Sequence, residues 1–159
     1  MIPKTNEELE EVKQECLSLV NKRSSISAVT AIIPIPGIDV GADVLILMQM
    51  IDNINKKFGL SETQLSKLDA RFKEKIFVII SSLGSELIGR VVTKQIVISL
   101  LKKIGIRFTT KQVTKYVPII GSILSGTISF TAMKYIGKKH IEDCEKVVKK
   151  LIEQEKLKN

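Results

Sequence analysis

Gly84-Ser-Glu-Leu-Ile-Gly-Arg-Val91 comes close to a phosphate-binding loop, a glycine-rich turn whose backbone N–H groups cradle a nucleotide's phosphates. That chemistry needs Lys and then Ser or Thr after the second glycine, the first for the phosphates and the second for Mg²⁺, and here the positions hold Arg90 and Val91. With the metal ligand gone, Glu86 and Arg90 read better as an ion pair one helical turn apart. Asp39 and Asp43 are also one turn apart, where two carboxylates could share a proton or a metal. Asp39 is accounted for by the positive end of a helix starting nearby, whereas Asp43 falls inside an apolar helix and is a candidate buried charge needing a partner. His140, flanked by Lys138, Lys139, Glu142 and Asp143, reads as part of a solvated helical face without a second ligand. Cys16 and Cys144 fall on apolar stripes and read as packed thiols. One histidine, no nucleophile motif and no Cys/His spacing for a metal leave no catalytic residue to name, so the chain reads as non-enzymatic, with no metal and no cofactor.

What remains is charge. The 159 residues carry a net charge of +8. Residues 1–60 hold 6 basic and 8 acidic groups, a balance of −2, and residues 61–159 hold 19 basic and 9 acidic groups, a balance of +10. Between Glu86 and Glu142 there is no acidic residue, and ten basic ones fall in the gap. Lys102, Lys103, Arg107, Lys111, Lys115, Lys134, Lys138 and Lys139 are therefore the candidate anion-binding residues. Each Lys or Arg near an anionic leaflet contributes around 1 kcal/mol to attraction. Nucleic acid is disfavoured because aromatics are only 4% of the chain and no binding motif occurs.

The elements that must carry these residues are helical. Hydrophobic residues are 44% of the chain, mostly Ile, Val and Leu, and Trp is absent, a composition suited to closely packed helices. Thr5 to Glu8 is a capping box that opens an amphipathic helix on Leu9, Val12, Cys16, Leu19 and Val20, ending near Arg23. Ser24 or Ser25 can cap a short second helix over 26–33. Pro34, Pro36 and Gly37 then form an elbow launching a long helix from Gly37 or Ile38 to about Phe58, buried on nearly all sides, with Gly59 as its left-handed stop. Ser61 to Gln64 is a second capping box, opening a helix through Leu65, Leu68 and Phe72. Residues 73–104 read as helix with a break at Gly84 or Gly89, although the β-branched run 76–83 leaves a strand open. Gly105 is expected to end that region, with Thr109 or Thr110 capping a short helix before Pro118. Pro118 and Gly121 form a second elbow 84 residues after the first, and from Ile119 a helix could run almost to the end, with Ile141, Cys144, Val148, Leu151 and Ile152 on one side. The uncharged run from Tyr116 to Met133 is 18 residues long, close to the roughly 20 needed to span a bilayer, but its Ser, Thr and Gly favour a core helix.

At these residues the sequence resembles a family. Pro34-Ile-Pro-Gly37, Asp43, Phe58-Gly-Leu60, Pro118-Ile-Ile-Gly121 and Ser129-Phe130, in that order over about 25–150, are similar to the helical domain that follows the GTPase module in immunity-related GTPases. They are also similar to the YcjF-like domain found beside bacterial GTPase modules. The resemblance implies an all-α, membrane-associated bundle that works as the helical partner of a nucleotide-binding module. No GTPase module lies within these 159 residues, so a nucleotide cycle would need a partner in trans or has been lost.

The expected fold is thus all-α: one compact helical bundle, 1–159, with two Pro-Gly elbows leading into two central long helices. Within it, 1–24 is an amphipathic helix, 25–150 the family-like core and 151–159 the end of the last helix. The expected function is a non-catalytic domain that associates with anionic membrane surfaces, a GTPase partner, or both. The alternatives are a membrane-permeabilising effector whose Pro-Gly arms insert into lipid, and a soluble protein-interaction domain. Anionic lipid, a GTPase in trans and a second copy of the chain are the partners this allows. Two unpaired cysteines and a start without a charged-then-apolar leader predict the cytoplasm, with peripheral placement at the inner face of the membrane.

Overall fold

A computed structural model describes residues 1–30, 41–111 and 130–156, with side chains for 1–25, 44–103 and 131–156. Every regular element among them is a helix: α1 (Asn6–Thr30), α2 (Gly41–Lys57), α3 (Glu62–Leu65), α4 (Ala70–Leu83), α5 (Lys94–Lys111) and α6 (Phe130–Lys156). The all-α expectation holds, and the β-branched run 76–83 lies within α4. Both elbows, with Pro34, Pro36, Gly37, Pro118 and Gly121, lie outside the described residues.

α1 starts as its capping box requires. The Glu8 N–H donates to Thr5 Oγ1 at 3.2 Å, and the Glu8 carboxylate accepts from the Lys4 N–H at 2.8 Å, one residue earlier than a standard box. The helix does not stop near Arg23. It runs through Ser24 and Ser25 to Thr30, so neither serine caps a second helix. Ser25 Oγ instead donates back to the Asn21 carbonyl at 2.9 Å, and Ser24 is buried in the stripe that begins at Leu9, Cys16 and Val20.

α6 buries Met133, Ile136, Ile141, Cys144, Val147, Val148, Leu151 and Ile152, the three-and-four spacing of one helical face. α1 shares its longest interface with this face. At Gly137 a Cβ would lie 2.6 Å from Val20 Cγ2, so glycine lets the two backbones approach. Lys13 ties the pair from outside, reaching Glu145 at 3.2 Å.

α2 packs on α1, α5 and α6 through Val44, Leu47, Met50, Ile51, Ile54 and Phe58, and a Lys57–Glu15 ion pair joins it to α1. It is not buried all round as the sequence suggested, because Leu45 is 53% exposed and Gln49 faces solvent beside it. The helix ends where expected: Gly59 has φ +72°, and a Cβ there would strike the backbone of Ile2 at 2.5 Å.

The second capping box opens only a single turn. Gln64 Oε1 accepts from the Ser61 N–H at 3.3 Å and from Ser61 Oγ at 2.6 Å, but α3 stops at Leu65. Asp69 then caps a separate helix, α4, by accepting from the Phe72 N–H at 2.9 Å. The chain breaks at Gly84 and again at Gly89, both with positive φ, and the Gly89 N–H donates to the Leu60 carbonyl at 3.1 Å. Gly105, Thr109 and Thr110 lie inside α5, so Gly105 does not end the region.

Candidate functional site

Seven of the eight candidate anion-binding residues sit on two helices. Lys102 and Lys103 are exposed on α5. Because α5 continues to Lys111, they belong to a helix and not to a basic loop at Gly105. Arg107 and Lys111 are carried by the same helix with side chains outside the described residues, and Lys115 lies outside altogether. Lys134 is partly buried on α6, and Lys138 and Lys139 are exposed there. α5 and α6 each pack on α2, which holds both basic helices on one scaffold.

Neighbouring carboxylates hold some of these cations. Lys103 Nζ reaches both Glu86 oxygens, at 2.6 and 2.9 Å, and this bond lowers the Glu86 pKa. Glu86 thus pairs with Lys103 across the α4–α5 connector and not with Arg90. The connector is not helical, so the one-turn spacing has no meaning there. Lys139 bonds Asp143 at 2.7 Å, which raises the Lys139 pKa. Three further lysines, Lys146, Lys149 and Lys150, which the sequence places in the basic half of the last helix without singling them out, are exposed on α6. Lys149 reaches Glu145 at 2.8 Å and Lys150 reaches Ser82 Oγ at 3.3 Å. They follow Glu142 in the chain, outside the acid-free gap, and their helical spacing was the available signal.

The near miss to a phosphate loop, residues 84–91, is this same connector. A phosphate loop joins a strand to a helix, and among the described residues there is no strand. Asp43 belongs to the first turn of α2, with its side chain outside the described residues. No group of His, Cys, Asp and Glu among the described residues could hold a metal ion.

The larger departure from the sequence reading is His140. It is 2% exposed, not on a solvated face. On the helix it lies one turn beyond Ile136 and one turn before Cys144, so Lys138, Lys139 and Glu142 point away from it, and Asp143, three residues on, is the charge that stays near. It meets Asn55 of α2 and Cys144, both 0% exposed. Asn55 Nδ2 donates to the Leu87 carbonyl at 2.9 Å, which aims Asn55 Oδ1 at the ring, 3.0 Å from His140 Nε2. An amide oxygen only accepts, so Nε2 carries the proton and Nδ1 is bare. Cys144 Sγ lies 3.8 Å from both Asn55 Oδ1 and His140 Nε2. A Cys, a His and an Asn in contact suggest nucleophile chemistry, but burial pushes the Cys144 thiol well up and lowers the imidazole pKa to about 4. A neutral thiol and a neutral ring without access to solvent form a structural tie between α2, α6 and the α4–α5 connector. Cys16 is buried as expected, its pKa pushed up to about 12 by desolvation.

No family model matches the chain, and no solved structure does. A bovine protein does. Interferon-inducible GTPase 5 of Bos taurus is 26% identical over 155 residues, covering 94% of this chain and 33% of that protein. The chain therefore spans about a third of the length of the curated relative it matches. The likeness agrees with the resemblance read from Pro34-Ile-Pro-Gly37 and Pro118-Ile-Ile-Gly121.

Proposed function

We propose that this chain is a non-catalytic helical domain that works with a GTPase and docks on anionic membrane surfaces through the basic residues of α5 and α6. The observation that carries this reading is the acid-free stretch between Glu86 and Glu142, nine of whose ten basic residues fall on or between two helices packed on α2. Likeness to an interferon-inducible GTPase supports the association with such a module. Among the described residues no helix is long and apolar enough to cross a membrane, and the proposed contact is peripheral.

Lys102 and Lys138 are exposed, one on each basic helix. Converting both to Gln removes two attractive charges, and at about 1 kcal/mol each the partition onto phosphatidylserine-containing vesicles should fall roughly 30-fold. Co-sedimentation measures it. Unchanged binding of the Lys102→Gln/Lys138→Gln protein would remove these helices from the contact.

A further inference from the structure

We propose that His140 is an acid-released latch: a proton taken at its unpartnered Nδ1 leaves a cation buried between α6 and α2, loosens α6 from α2, and opens the seam containing Cys16 and Cys144 to solvent. The geometry confines that proton to a poor place. Nδ1 is buried without a hydrogen-bond partner, and Nε2 is already committed to Asn55 Oδ1 at 3.0 Å. Asn55 cannot turn its amide to help, because its Nδ2 is held by the Leu87 carbonyl. A second N–H on the ring would be a buried cationic donor without an acceptor.

The surrounding groups do not relieve it. On α6, Asp143 favours the charged ring, but its carboxylate is bonded to Lys139 at 2.7 Å, and Cys144 is a neutral thiol. α2 brings the Asn55 amide, and the α4–α5 connector brings the Leu87 carbonyl. α1 brings Cys16, near enough to act on Cys144, and α4 buries Ile76, Ile79 and Ile80. Among the described residues, Asp143 is the one charge acting on the ring.

The sign follows from linkage. Burial lowers the folded ring's pKa from 6.5 to about 4, so between these values the unfolded or opened chain binds a proton that the folded one does not. Stability is full above pH 6.5, falls as the pH drops, and the loss is complete at about pH 4. From pH 7.5 to pH 5 the equilibrium constant for opening should rise about 30-fold.

The chain has one histidine, so the test is direct. In the full chain, the NMR signal of the imidazole Cε1 should show a neutral ring down to about pH 5 while the protein is folded. Labelling of Cys16 and Cys144 by 4,4′-dithiodipyridine, scaled to free cysteine at each pH, should accelerate about 30-fold from pH 7.5 to pH 5 in the natural sequence and stay flat in His140→Gln. A ring that titrates near pH 6.5 in the folded chain overturns the proposal, and this result needs no variant to fold. Equal acceleration in His140→Gln would assign the opening to carboxylates and overturn it as well. Neither outcome bears on vesicle binding, which rests on other residues.

Discussion

Asn55 has the most to do of any single side chain, because its amide joins three segments that are far apart in the chain. Replacing it with Ala takes a donor from the part-buried Leu87 carbonyl and leaves buried His140 Nε2 with only the Cys144 sulfur 3.8 Å away, and unfolding in urea should show a loss of about 1 to 3 kcal/mol. A loss under about 1 kcal/mol would mean that water replaces the amide. The residue was not legible as important beforehand: Asn between apolar positions of a helix looks like any polar interruption. His140 was legible only in part. Charged neighbours along the chain suggest a wet face, while the angle between residues on a helix places 136, 140 and 144 on one side and Lys138, Lys139 and Glu142 on the other. The cysteines were read correctly because their apolar neighbours recur at helical spacing.

Serine pairs and glycines mark the ends of elements less reliably than the stripe that runs past them. Ser24 and Ser25 carry the chemistry of a cap, yet α1 continues through them, and Ser24 is buried in line with Cys16 and Val20. The two readings predict opposite signs for Ser24→Ala. If the serine capped a helix, its loss would cost about 1 kcal/mol. Its hydroxyl is instead buried mid-helix without a hydrogen-bond partner, and thermal unfolding should show Ser24→Ala stabilised by about 0.5 to 1.5 kcal/mol. Gly105 likewise sits within α5, whereas Gly59, Gly84 and Gly89 do take positive φ. What separates them is backbone conformation, which only Gly adopts without strain and which composition alone does not reveal. The all-α class was legible from periodicity and capping chemistry. The split of α3 from α4 was not, since Leu65, Leu68 and Phe72 keep helical spacing across the break.

Across the whole molecule, charge and packing divide the work. A bundle centred on α1, α2 and α6 supplies the scaffold, and of the balance of +10 in residues 61–159 the helix α5 carries +5 and α6 carries +2. Bonds from Glu86 and Asp143 to Lys103 and Lys139 are exposed or half-exposed and hold those cations only loosely. Attraction of this kind is screened within about 10 Å at moderate salt, which distinguishes it from apolar insertion. Co-sedimentation of the full chain with neutral and with phosphatidylserine-containing vesicles, at low and at high salt, tests the central claim most directly. The account predicts binding to the anionic vesicles alone, lost as salt is raised. Equal binding to both kinds of vesicle, binding that resists salt, or no binding to either would contradict it.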